Sequence, residues 1–232
     1  MSQFGFRLIA IATLLALGGP RLRAWSPRFH EAQTALAVRL LPRGMNTFLN
    51  AHRQDLMQGA RGKSNDQVPT VEDVEAQFQR IVLLTEQRRR PDALARELGI
   101  LAHQVQLLMD PSAVVGSSLL RDAFEAYSDE KLSRMVLSRE PFWAVTAPLD
   151  PRPALLHWAK VKFGRNQALQ NCFDEQQNRR VGAWDELSVP FAQSQLAYSN
   201  GIHATTNLWI LLWRAVGDQW EPPQNHPAFP NR

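Results

Sequence analysis

The chain has very little cysteine: Cys172 is the only one among its 232 residues. It therefore cannot form an internal disulfide, and it lacks the paired cysteines of zinc-finger and redox motifs. Strand-like alternation of apolar and polar residues is nearly absent as well, which favours a helical architecture. Stability must therefore come from the packing of helices, which a bound metal ion can supplement.

Three common catalytic motifs are incomplete in this sequence. The Gly-Lys-Ser of residues 62–64 resembles the end of a phosphate-binding loop, but Met57 stands where its first glycine belongs and a helix is predicted before it. His30 and Glu31 begin like a metalloprotease helix, but Thr34 replaces the second histidine. No G-x-S-x-G occurs. These observations exclude a P-loop nucleotidase, an H-E-x-x-H protease and a serine hydrolase with a nucleophile elbow.

Long apolar runs are also missing, apart from one short run near the start. Residues 8–17 carry no charge and follow Arg7, and Ala24 is a small residue suited to the position before a cleavage site. A membrane-spanning helix needs about 20 apolar residues, so this run fits a secretory signal peptide better. We interpret residues 1–24 as that signal and expect an exported protein, periplasmic or extracellular, that begins at Trp25. An uncleaved membrane anchor is the alternative, because the basic segment 20–23 is unusual in a signal.

The mature chain is close to electrically neutral. The proposed signal holds three arginines and no acid, so 23 of the 26 basic residues remain beside 22 acidic ones. This balance is weak evidence for a nucleic-acid surface. We expect no stable transmembrane span after signal cleavage, and the sequence does not determine the oligomeric state.

Helical periodicity dominates the rest of the chain and predicts a single-domain, all-α bundle over residues 25–220. Thr70, with Asp73 three residues later, is typical of a helix that starts with a capping box. The tail 221–232 contains four prolines, which predicts an extended segment. The predicted helices are 29–41, 45–58, 70–87, 91–110, 117–127, 129–138, 154–174 and 188–216.

Several residues with metal-binding chemistry recur along the first half of the mature chain. Trp25 would supply an α-amino group and a carbonyl from one residue, and His30 follows at the head of a helix. A segment L-x-x-G-A spans residues 56–60, Asp66 lies in the next loop, and L-G-x-x-x-H spans residues 98–103. His103 and, further on, Glu125 complete the series of candidates.

This order of motifs resembles the zinc-dependent phospholipases C and the related zinc-dependent single-strand nucleases over residues 25–125. The resemblance implies an all-helical fold of the phospholipase C type, zinc ions in a cleft, and hydrolysis of phosphate esters in phospholipid head groups or nucleic acids. It also implies that Trp25 and His30 hold one zinc ion. Asp66 would bind a second and orient or deprotonate the attacking water, with His103 at the same ion. Glu125 would bind the third.

The chain departs from the family pattern at several ligand positions. Leu107 stands at the position of the carboxylate that bridges two zinc ions, Ala113 replaces a histidine, and Arg121 replaces another. No histidine lies between His52 and His103, where the family has one more. Each of the three zinc sites has therefore lost a ligand, and we expect fewer than three zinc ions, or none.

Asp110 is the best candidate to replace a lost ligand, because it lies seven residues after His103 on the same helix face. Gln106 and His52 are further candidates. Two functional hypotheses therefore stay open: a zinc-dependent phosphoester hydrolase with a reduced metal site, and a catalytically inactive superfamily member that acts as a binding or structural protein. In the second, Trp25 is an apolar plug and His103 a core histidine, Asp66 is a turn residue, and Glu125 pairs with Arg121.

Overall fold

The computed structural model describes residues 25–62, 68–114, 117–138 and 150–217. The proposed signal peptide, the proline-rich tail and Asp66 lie outside these described residues, so the predictions made for them stay predictions.

Helices make up most of the described structure, and the predicted all-α fold class is confirmed. None of the helices in these ranges is both long and apolar enough to cross a membrane. Short 3-10 turns at Pro111–Val114 and Leu132–Arg134 flank the sixth helix. The α-helices are α1 Pro27–Arg39, α2 Arg43–Ala51, α3 Arg53–Ala60, α4 Val71–Glu86, α5 Pro91–Met109, α6 Ser118–Lys131, α7 Arg152–Gln170 and α8 Val189–Ala215.

Side-chain caps explain where several helices begin. The Ser26 hydroxyl accepts a hydrogen bond from the backbone N–H of Phe29 at 3.2 Å and caps α1. The capping box predicted for α4 is confirmed: Thr70 and Asp73 each bond the backbone N–H of the other. Such caps satisfy N–H groups that have no partner within the helix.

The structure divides one predicted helix and shortens two others. His52 has φ −112° and ψ 31°, which separates α2 from α3 within the predicted helix 45–58. Helix α6 runs unbroken to Lys131, a 3-10 turn continues to Arg134, and residues 135–138 are not helical. After α7 the chain forms a two-stranded antiparallel hairpin, Phe173–Asp174 with Arg179–Arg180, where helix was predicted as far as residue 174.

An extended segment, residues 135–138, lies along α8 and is called here the strap. Gln195 bonds both backbone groups of Val136, accepting from its N–H at 3.0 Å and donating to its carbonyl. The backbone N–H of Ser138 donates to the Ser199 hydroxyl at 3.1 Å, and His203 Nε2 donates to the Ser138 carbonyl at 2.8 Å. These bonds replace those of a helix, which explains why the predicted helix 129–138 ends early.

Helices α3 and α5 pack backbone to backbone through a pair of glycines. A Cβ added to Gly59 would lie 2.1 Å from the Arg96 carbonyl oxygen, and one added to Gly99 would lie 2.1 Å from the Leu56 carbonyl oxygen. Only glycine fits at either position. The two glycines belong to the L-x-x-G-A and L-G-x-x-x-H segments, so this contact joins two of the motifs found in the sequence.

The described residues form two hydrophobic clusters. The larger one lies between α1, α3, α4, α5 and α8, and its most voluminous fully buried member is Trp209 of α8, whose Nε1 donates to the Leu98 carbonyl at 3.3 Å. The smaller cluster joins α6 to the hairpin region. Its buried members are Leu120, Phe124, Tyr127, Leu169, Phe173 and Trp184.

Candidate metal centre

The head of α1 carries the first two candidate ligands. Trp25 is 2 % exposed and packs against Phe29, with the ring centres 4.4 Å apart. The neighbouring Ser26 hydroxyl donates to Asp129 Oδ1 at 2.5 Å, which ties this end of α1 to α6. Trp25 is therefore held in the core as its apolar interpretation requires, and it also stands beside His30, with 6.2 Å between ring centres.

The structure brings His30 and His103 into direct contact, although 72 other residues lie between them. Their ring centres are 4.3 Å apart at an interplanar angle of 59°. His30 is fully buried and His103 is 6 % exposed. Because residues four apart share a helix face, His103 lies on the face that Gly99 presents to α3. The glycine contact thus helps to set the depth of His103 in the bundle.

His30 is joined to α5 by a second, polar contact. Its Nδ1 lies 2.7 Å from Gln106 Oε1, and Gln106 Nε2 donates to the Thr34 hydroxyl at 3.0 Å. Gln106 and Thr34 are both fully buried. The other ring nitrogen, Nε2 of His30, is buried and has no hydrogen-bond partner among the described residues.

His30 is uncharged at neutral pH. Burial and, to a smaller extent, the proximity of His103 together lower the pKa of His30 to about 3, and the hydrogen bond to Gln106 opposes the shift. A buried imidazole is costly to protonate because the charged form loses its hydration. The neutral form is also the one that binds metal ions, since the lone pair is then available.

Within the described residues, this pair forms no three-membered ligand group with Asp110 or Glu125, the two predicted carboxylate ligands there. Asp110 is fully buried, and its Oδ1 accepts from the backbone N–H of Ser112 at 2.8 Å and from the Ser112 hydroxyl at 2.7 Å, which caps the 3-10 turn after α5. Glu125 is half-buried on α6. In the described ranges, no group of three or more His, Cys, Asp or Glu side chains is close enough to hold a metal ion. The structure therefore brings together two of the candidate side chains, His30 and His103, and places Trp25 beside them.

Apolar side chains stand where the resemblance implies a bridging carboxylate and a histidine. Leu107 is 2 % exposed and lies one turn after His103 on the same face. Ala113 is half-buried in the 3-10 turn. The other proposed substitute, His52, packs against Phe48 at the α2–α3 junction, with ring centres 5.2 Å apart.

Sequence reasoning missed one member of this centre, Thr34, which entered only as a residue that breaks a protease motif. Its spacing of four from His30 places both on one face of α1, and Gln106 lies three residues after His103 on one face of α5. These two spacings were the signal in the sequence that could have indicated the site. They do not reveal, however, that α1 and α5 are the helices that meet.

The two imidazoles would supply two ligands of one zinc ion, and no third His, Cys, Asp or Glu side chain joins them in the described ranges. Zinc binds imidazole at about 2.0–2.1 Å, which places two ring centres about 5 Å apart on one tetrahedral ion. The observed 4.3 Å is close to that value, so a shift of about 1 Å would admit the ion. The unpaired, buried Nε2 of His30 is a suitable donor, and Trp25 stands beside it.

Comparison of the chain with protein-family models, with curated proteins and with solved structures finds no match in any of the three.

Proposed function

We propose that this chain is an exported, periplasmic or extracellular relative of the zinc-dependent phospholipases C and single-strand nucleases, a phosphoester hydrolase with a reduced metal site. One observation supports the proposal above all. Motifs that are far apart in the sequence, at Trp25–His30 and at residues 98–103, meet in the bundle as a buried pair of histidines beside the expected mature N-terminus.

Zinc, when bound, would supply a water of lowered pKa and a positive charge opposite the phosphate. This chain's own residues have distinct parts in that chemistry. His30 and His103 would hold the ion as neutral donors, and Trp25 would add its amine and carbonyl after removal of residues 1–24. Asp66 would orient or deprotonate the attacking water. The substrate is a phosphodiester of a phospholipid head group or of a nucleic acid.

The first experiment is elemental analysis of mature protein that begins at Trp25. The matched control carries one additional alanine before Trp25, which displaces the amine and leaves both histidines in place. We expect about one zinc ion per chain in the mature form and a zinc affinity at least about 10-fold lower in the extended form. Hydrolysis of bis(4-nitrophenyl) phosphate, phosphatidylcholine vesicles and single-stranded DNA then tests the reaction. A folded protein without metal or hydrolysis would refute the proposal.

The second hypothesis, a catalytically inactive superfamily member that binds or supports another component, also has a specific observation in its favour. The buried Leu107 occupies the position of the bridging carboxylate, and neighbouring cations without that ligand would repel each other unscreened. Bound zinc without hydrolysis of any of the three substrates would favour this alternative. Substitution of Asp66 by Asn distinguishes the two hypotheses. If the chain is a hydrolase, the substitution should abolish hydrolysis, and if it is an inactive binding protein, the substitution should change nothing in these assays.

A further inference from the structure

We propose that Gln106, held by Thr34, is a positioning residue that fixes His30 in the tautomer with the proton on Nδ1, so that Nε2 keeps an available lone pair. The metal-binding part of this inference rests on the proposed function. The tautomer itself is a property of the metal-free protein and is tested without any ion.

The orientation of the glutamine amide determines which nitrogen of His30 carries the proton. Its Nε2 lies 3.0 Å from the Thr34 hydroxyl and its Oε1 lies 2.7 Å from His30 Nδ1. An amide has one donor end and one acceptor end, so a bond from the donor end to Thr34 directs the acceptor end at the imidazole. The only group that His30 can offer to an acceptor at this distance is an N–H. Nδ1 therefore carries the proton.

The neutral imidazole has one proton to place, and its location decides what the other nitrogen can do. With the proton on Nδ1, Nε2 is an acceptor. The opposite tautomer would set two acceptors, Nδ1 and Gln106 Oε1, against each other at 2.7 Å. It would also bury an Nε2–H that finds no acceptor among the described residues. Both consequences disfavour it.

This arrangement is the one that metal-binding histidines use in general. The nitrogen that faces away from the ion donates its N–H to a fixed acceptor, which sets the ring orientation, and loss of that acceptor typically costs about 10–100-fold in metal affinity. Here the acceptor is a neutral amide, anchored by a hydroxyl on the same helix as the ligand. Since Gln106 and Thr34 are fully buried, water does not compete for these bonds.

Two substitutions at Thr34 give a matched pair. Thr34→Val keeps the shape and removes the hydroxyl, so the amide of Gln106 is free to turn its Nε2 toward the imidazole. Thr34→Ser keeps the hydroxyl and loses a methyl group. Nitrogen-15 NMR of the imidazole in metal-free protein then reads the tautomer directly. We expect the Nδ1–H form of His30 in the wild type and in Thr34→Ser, and a substantial Nε2–H population in Thr34→Val.

Chelator competition with zinc alone gives the second measurement. Thr34→Val should bind zinc about 10–100-fold more weakly than Thr34→Ser. An Nε2–H tautomer in the wild type, or an unchanged tautomer in Thr34→Val, overturns the inference. If the wild type binds no zinc but the tautomer shifts as expected, the positioning role stands and the proposed metal chemistry fails. If zinc binds with equal affinity to both Thr34 variants, Gln106 has only a structural role and the inference is refuted.

Discussion

The contact between Gly59 and Gly99 makes a strong prediction about stability. In Gly99→Ala the new Cβ would lie 2.1 Å from the Leu56 carbonyl oxygen and 2.8 Å from the Ala60 nitrogen. Ordinary van der Waals contacts of a Cβ lie at 3.4–4 Å. Both opposing atoms belong to the backbone, so no side-chain rotation relieves the clash. Helices α3 and α5 must instead move apart by more than about 1 Å, which opens the core on both sides of the contact.

The expected cost follows from two opposing effects. Overpacking of a rigid core costs about 1–3 kcal/mol and more where backbone must move, whereas alanine gains about 1 kcal/mol over glycine within a helix. Because this clash is between backbones, we expect a net loss of about 3 kcal/mol or more of the free energy of unfolding, a large part of the 5–15 kcal/mol typical of a domain. For a chain of this size that corresponds to a fall in Tm of roughly 6–12 °C.

Thermal and urea denaturation, followed by circular dichroism, measures this loss. Gly44→Ala is the matched control, since its Cβ would meet only the side chain of Trp213, at 3.3 Å, and we expect a change within about 1 kcal/mol. Gly59→Ala should be as damaging as Gly99→Ala, because it meets the same backbone contact from the other helix. A Gly99→Ala protein that melts within about 2 °C of the wild type would show that the close approach of α3 and α5 is not required.

Three other predictions concern single residues. Since His30 has a folded-state pKa of about 3 and an unfolded value near 6.5, the unfolded state binds the extra proton below pH 6.5, and the metal-free protein should lose stability as pH falls from about 6.5 toward 3. From pH 7 to pH 5 the free energy of unfolding should fall by about 2 kcal/mol. The His30→Gln protein, measured by urea denaturation, should not show this fall. If the stability of both proteins depended on pH in the same way, His30 would not be the responsible group. Arg88 has φ 51°, a backbone conformation that strains any residue except glycine. Arg88→Gly should therefore raise stability by about 1 kcal/mol in the same denaturation assay, whereas the control Arg89→Gly should not. Equal effects of the two substitutions would rule out backbone strain as the cause. His103→Ala should abolish the stabilisation of the protein by zinc, which amounts to about 2.7 kcal/mol at a zinc concentration 100 times the Kd. If the substitution lowers Tm equally with and without chelator, His103 has a role in the core instead.

Local signals predicted the helices well where the sequence carries a start or stop. The capping box at Thr70 and the proline at the head of α5 both mark helix starts that the structure contains. The break between α2 and α3 at His52 contains no glycine or proline that would mark it in the sequence. The end of the predicted helix 129–138 depends on hydrogen bonds between the strap and side chains of α8, more than 50 residues away. Such tertiary hydrogen bonds override helix propensity and are invisible to a local pattern.

The candidate site was predicted in part for the same reason. His30 and His103 could be proposed from motif spacing, and the structure brings them together. Asp110 has the right spacing on α5, but its carboxylate is engaged by Ser112, a local turn contact that competes with any role as a ligand. The glycines at 59 and 99 were recognisable as parts of motifs, but their physical purpose appears only when the two helices are placed side by side.

The strap has a consequence for how this sequence can vary. Gln195, Ser199 and His203 bond the main chain of residues 136 and 138, and main-chain groups are the same for every amino acid except proline. Val136, moreover, is 68 % exposed. The identity of the residue at position 136 is therefore nearly free to change. The three side chains spaced four apart on α8 carry the information that fixes the path of this segment.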